Sequence, residues 1–115
     1  MHQVTRIVIE EGRDSAAELM AGITAFAELL RSRMHVERII LFGSVARGDF
    51  NEGSDVDLLI VGDFKEKRFH KRPMDIFDLT DLPVEPICYT REEFAEMLQK
   101  KNPFVLSVCE EGIPV

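Results

Sequence analysis

The sequence predicts a small mixed α and β fold, and three observations carry that prediction. Residues 36–42 and 56–61 contain unbroken apolar runs of the kind that form buried strands, and residues 84–89 form a third apolar run. Segments before, after and beyond these runs carry apolar residues at helical spacing. With 115 residues the chain can bury one hydrophobic core, and a single domain over 1–115 is expected.

The elements follow in order. Val4, Thr5, Ile7, Val8 and Ile9 are β-branched, so residues 4–10 read as a strand or as the lead into a helix. Ser15 and Glu18 match a capping box, and Ala16, Leu19, Met20, Ile23, Phe26, Ala27, Leu30 and Met34 then recur on one helical face. Arg31 and Arg33 suit the negative end of that helix. The runs at 36–42 and 56–61 are expected to be central strands. Pro86 lacks a ladder donor and pushes the 84–89 strand towards an edge. Thr90 and Glu93 form a second capping box ahead of Phe94, Met97 and Leu98. A last helix is expected with Asn102 as cap, Pro103 at its first position, a buried face of Phe104, Val105, Val108 and Cys109, and a stop at Gly112.

Composition excludes several classes of protein. Hydrophobic residues make up 45% and charged residues 30%, which fits neither a disordered nor a membrane protein, and no apolar run approaches the roughly 18 residues of a spanning helix. The opening residues lack an apolar signal core, so a cytoplasmic location is expected. Cys88 and Cys109 sit among apolar residues without C-x-x-C spacing, and two buried reduced thiols are expected. A net charge of -7 argues against gripping a nucleic-acid backbone, whereas a small nucleotide escorted by metal ions is compatible with it.

The chemistry concentrates between the first two strands, in residues 41–61. Asp55 and Asp57 alternate at the start of the second strand, so their carboxylates share a face and repel unless a cation sits between them. Magnesium suits such a pair, because it takes one or two carboxylates and completes its shell with water and phosphate oxygens. The competing reading makes both aspartates turn residues at a strand entry. The preceding loop favours the ligand reading. Gly43 permits close backbone approach directly after a buried strand, Ser44 offers a hydroxyl and an amide, and Ala46-Arg47-Gly48 suggests a helical turn carrying a cation. A P-loop is rejected because Asp49-Phe50 replaces its Lys-Ser/Thr, and a calcium loop from Asp49 fails at Gly53, Ser54 and Ile60.

Gly43-Ser44, ten residues, then Asp55-Val56-Asp57 resembles the signature of the DNA polymerase β nucleotidyltransferase superfamily. The fuller string Gly43-Ser44-Val45-Ala46-Arg47-Gly48 with Ser54-Asp55-Val56-Asp57-Leu58 is similar to the minimal nucleotidyltransferases of prokaryotes, and the ending 110–114 resembles that group's tail. The resemblance implies an α+β nucleotidyltransferase fold, a small mixed β-sheet with helices packed mainly on one face. It implies two Mg²⁺ ions, with Asp55, Asp57 and a later carboxylate, here Glu85, as metal ligands and catalytic residues. It also implies nucleotide binding by Gly43, Ser44 and Arg47 and ATP as the substrate. The group more often has aspartate at the Glu85 position, and Pro86 beside it is unusual.

Larger relatives add a domain that grips the acceptor, for which this chain has no room, so a partner chain or a homo-oligomer is expected to complete the site. The minimal group resembles the antitoxin half of toxin–antitoxin pairs that attach AMP to a tyrosine of a small helical HEPN-type partner. Protein AMPylation is therefore the expected activity. A non-catalytic scaffold and nucleotidylation of a small molecule are the alternatives. The basic stretch 65–72 could meet triphosphate, an RNA end or an acidic partner, or form a solvated face; His2, His35 and His70 have no partner cluster and receive no role.

Overall fold

A computed structural model describes residues 13–115, and the expected segment 4–10 lies outside them. A long helix α1 (Arg13–Arg33) leads into strand β1 (Val36–Phe42), a short helix α2 (Gly43–Arg47) and strand β2 (Val56–Gly62). A 3-10 turn (Phe69–Lys71), helix α3 (Pro73–Phe77), strand β3 (Val84–Tyr89), helices α4 (Arg91–Gln99) and α5 (Pro103–Glu111) and the two-residue strand β4 (Ile113–Pro114) follow. Helix α1 already includes Ser15, which therefore lies inside the helix rather than at its cap.

The strands form one mixed sheet in the order β3-β2-β1-β4. β1 runs antiparallel to β2 and β4, and β2 runs parallel to β3. The two unbroken apolar runs are thus the central strands, and Pro86 lies in the edge strand, where a missing donor is tolerated.

Burial explains both the α+β class and one departure from expectation. Along β2, Val56, Leu58 and Ile60 join Leu19, Ile23, Phe26, Ala27 and Leu30 of α1 in one buried cluster. Leu59 and Val61 point the other way and join Phe94 of α4 with Val105 and Val108 of α5 in a second. A strand that is apolar on both faces needs cover on both, so the helices are divided between the two faces instead of lying mainly on one. Helix α5 buries only Val105 and Val108; Cys109 is exposed and Phe104 is 39% exposed, because the sheet meets a narrower stripe than the apolar spacing suggested. Cys88 is buried as expected, and its thiol is pushed up to about 12 by that burial.

Part of the basic stretch proves to be interior. Arg72 is only 5% exposed. Its guanidinium forms a fork with Glu93, at 2.6 and 3.1 Å to the two carboxylate oxygens, and donates to the carbonyls of Glu66 at 2.8 Å and Cys88 at 3.0 Å. Glu93 also completes the capping box of α4, accepting from the Thr90 amide while Thr90 Oγ1 accepts from the Glu93 amide. One arginine therefore fastens the connection after β2 to strand β3 and to the start of α4. Phe69 stacks on Tyr89 with ring centroids 5.3 Å apart and adds to the same anchorage.

Replacing Arg72 with alanine is expected to cost about 2–3 kcal/mol, since hydrogen bonds to a charged group are lost while the part-exposed Glu93 can rehydrate. Urea denaturation measures it. The Arg72 fork holds the Glu93 carboxyl below its ordinary value. The wild-type advantage is therefore complete above the unfolded glutamate pKa, and it shrinks as pH falls through the depressed folded value. The alanine variant should show a weaker dependence, since only the Thr90 hydrogen bonds then hold the carboxyl down.

Candidate active site

The site is set by how β2 begins. Asp57 lies on the same face as Leu59 and Val61, but before the cover of α4 and α5 starts, so its carboxylate is half-buried rather than enclosed. The strand register gives it two neighbours, Phe42 on β1 and Glu85 on β3. Residues facing each other across a ladder project to the same face, which places Asp57 and Glu85 side by side.

Directly after Phe42 the chain turns into α2. Gly43 has φ +77°, a left-handed conformation that a side chain disfavours, and a Cβ there would collide with the Asp57 carboxylate. The close approach expected of Gly43 is therefore made first to Asp57 itself. The carboxylate leans against the Gly43-Ser44 turn, where Ser44 is partly accessible. Helix α2 buries Val45 and closes on Gly48, whose amide donates to the carbonyls of Ser44 and Val45.

Asp55 is exposed at the end of a loop with its own internal bonds. Asn51 Oδ1 accepts from the Gly53 amide, Ser54 Oγ accepts from the Asn51 amide, and the Val56 amide donates to the Pro83 carbonyl at 2.8 Å. These bonds fix where β2 starts. Arg47 is exposed and pairs with Asp49 at 3.2 Å rather than with either aspartate of the pair.

Electrostatics reflect this arrangement. Partial burial raises the pKa of Asp57, the charge of Asp55 raises it further, and the Arg47 charge lowers it in part. The aspartate pair thus carries negative charge that the protein leaves incompletely balanced. Its donors are hard carboxylate oxygens, which fit magnesium, and Mg²⁺ is ordinarily held by one or two carboxylates with water and phosphate completing its shell. Among the described residues no three His, Cys, Asp or Glu side chains form a ready-made metal cage. The fit is therefore to a pair of carboxylates with open positions, and Glu85 stands beside it as a register neighbour.

A cavity of about 400 Å³ opens on the Glu85 side of Asp57. Phe42, Asp57, Glu85 and Ile87 line it from the sheet, Pro86 from the edge strand, and His70, Pro73 and Phe77 from the connection after β2. Sequence reasoning gave no role to His70, Phe77 or Phe42. No short-range pattern marks them, because the wall forms only when Arg72 pins the connection against β3 and α4.

The comparisons agree with this architecture. The nucleotidyltransferase domain profile matches residues 23–110. Putative protein adenylyltransferase MJ0604 of Methanocaldococcus jannaschii is 56% identical over 44 residues, covering 36% of this chain and 44% of that protein. Protein adenylyltransferase MntA of Thermococcus cleftensis is 45% identical over 49 residues, covering 43% and 48%. The matches to these curated relatives thus span less than half of the length of each. The crystal structure of a putative nucleotidyltransferase from Sulfolobus solfataricus shares the fold, with a TM-score of 0.63 and 22% identity over 88% of this chain and 82% of that one. With the profile running from α1 to α5, the chain belongs to the nucleotidyltransferase domain family.

Proposed function

We propose that the chain is a metal-dependent nucleotidyltransferase that moves AMP from ATP to a hydroxyl group of a protein. The observation that carries this reading is the position of Asp57, held between the Gly43-Ser44 turn on one side and Glu85 on the other. The names of the two relatives, a putative protein adenylyltransferase and a protein adenylyltransferase, support the choice of a protein acceptor.

Asp55 and Asp57 would hold Mg²⁺, and Glu85 would complete the acceptor side. When bound, the metal supplies charge stabilisation to the phosphate oxygens and lowers the pKa of a coordinated hydroxyl. The chain's own groups do the rest. The Ser44 hydroxyl and amide bind the β- and γ-phosphates, and the exposed Arg47 can leave Asp49 to neutralise the pyrophosphate. In the transfer, the acceptor oxygen bonds to the α-phosphorus and the bond from that phosphorus to the pyrophosphate oxygen breaks. The hydroxyl proton passes to Glu85, and pyrophosphate leaves on the Ser44 side. The acceptor we favour is a tyrosine of a small helical HEPN-type partner, silenced by the modification, with the chain acting in the cytoplasm as the antitoxin of the pair. No helix among the described residues is long and apolar enough to cross a membrane.

Incubation with Mg²⁺, ATP labelled at its α-phosphate and the product of the adjacent gene tests the reading. Label should pass to the partner. Asp57→Asn should reduce transfer by more than about a hundredfold, since metal stabilisation of transition-state charge is worth several kcal/mol. Partner binding with no label transfer, unchanged in Asp57→Asn, would mark a scaffold instead of an enzyme.

Two further outcomes follow from the same geometry. Ser44→Ala should weaken MgATP binding in calorimetry by roughly 1.5–3 kcal/mol, the worth of a hydrogen bond to a charged group. Asp57→Asn should also melt at a higher temperature than wild type at neutral pH without metal, because it removes a charge disfavoured by burial and by Asp55. A raised folded pKa means that the native state binds the proton more tightly than the unfolded chain. Wild-type stability should thus recover as pH falls through that value towards the ordinary aspartate range, closing the gap between the two proteins.

A further inference from the structure

The cavity beside Glu85 has a wall that nucleotide chemistry leaves unused. Phe77 is 51% exposed, yet it faces a cleft containing two carboxylates. Pro73 and Phe77 stand one helical turn apart on α3 and line the same cavity, whereas Asp75 and Ile76 line a separate cleft with Lys65 and Arg72. The cavity wall is therefore the Pro73 and Phe77 side of α3, opposite the buried Ile76, with His70 as its hydrogen-bonding group. Phe42 and Ile87 supply apolar surface from the sheet, and Phe42 is itself fixed edge-on against Phe104 at 5.6 Å.

The wall is also preformed. Arg72 sits between His70 and Pro73 and is held by Glu93 and by the carbonyls of Glu66 and Cys88, so the backbone carrying the wall is anchored at its middle. Side chains on an anchored backbone can select a ligand by shape, because little ordering remains to be done on binding.

We propose that this wall is the acceptor subsite, and that Phe77, assisted by His70, selects an aromatic hydroxyl acceptor, the side chain of a tyrosine, over an aliphatic one. The inference rests on the proposed nucleotidyl transfer for its orientation. In an in-line displacement the acceptor enters opposite the departing pyrophosphate. With the phosphates on the Gly43-Ser44 side of Asp57, the acceptor must come from the Glu85 side, where this cavity lies. Its volume of about 400 Å³ is at the small end of ligand pockets, enough for one ring and its flanking backbone. Phe77, Ile87, His70 and the exposed Glu85 all line that space.

Amide-resolved NMR on the whole chain tests the proposal with defined probes. N-acetyl-L-tyrosine amide should shift the amides of His70, Phe77 and Ile87, and N-acetyl-L-serine amide should leave them in place. MgATP should shift Gly43 and Ser44. Phe77→Ala should weaken the tyrosine amide about tenfold, the loss of a ring contact and its buried area, while MgATP affinity stays within about twofold. The fold should survive, because Phe77 belongs to neither buried cluster. Equal shifts from both amides, or shifts that avoid this wall, would overturn the assignment. So would weakened MgATP binding in Phe77→Ala, which would give the wall to the nucleotide base. Failure of MgATP to shift Gly43 or Ser44 would sink the transferase reading, while the tyrosine titration would still decide what the wall binds.

Discussion

A strand buried on both faces that nonetheless begins with a carboxylate is the constraint on which the rest of this structure depends. β2 supplies apolar side chains to both clusters, so its path through the molecule is fixed by packing on either side. Asp57 inherits that fixed path. Its neighbours in register, Phe42 and Glu85, are determined by the same ladder that sets the core. A group placed this way cannot move aside to ease its own desolvation, and the raised pKa of Asp57 is the visible result. Charge that the fold leaves unbalanced at a rigid position is what a cation site requires before the cation arrives.

The second organising interaction is the Arg72 fork. It lies away from the aspartates, yet it decides where the connection after β2 runs, and hence where the far wall of the cavity stands. Glu93 serves both the arginine and the cap of α4 with one carboxylate. Loss of either partner would therefore disturb a loop, a strand end and a helix start together. The rigidity of one wall comes from the sheet, and that of the other from a single buried arginine held by a part-exposed carboxylate and two carbonyls.

What the sequence disclosed, and what it withheld, follows from the range of the interactions involved. The three main strands, the Thr90-Glu93 capping box, the Asn102 cap and the edge position of the Pro86 strand rest on local rules, and the structure contains all of them. Glu85 was named only as the later carboxylate that the resemblance implies, and the parallel register is what sets it beside Asp57. Distribution of the helices over both faces was not anticipated, although the unbroken apolar run of β2 already implied it. Cys109 and Phe104 were misplaced because apolar spacing alone does not say how wide a stripe the sheet will cover. Arg72 looked like one of several surface cations. Its burial depends on Glu93, 21 residues away, and on carbonyls that only the folded chain brings together. The Phe77 and His70 wall was hidden for the same reason.

The two sides of the cleft consequently differ in how much change they can absorb. At Gly43 the left-handed backbone and the Asp57 carboxylate each exclude a side chain, so relief of one leaves the other in force. That border has no slack, and its shape should stay constant among chains that keep this fold. The opposite border ends in solvent-facing groups whose replacement touches neither apolar cluster. Diversification of partner choice within such a scaffold is therefore free to proceed at the exposed positions of α3, Phe77 among them, while the buried Ile76 and the phosphate turn stay unaltered.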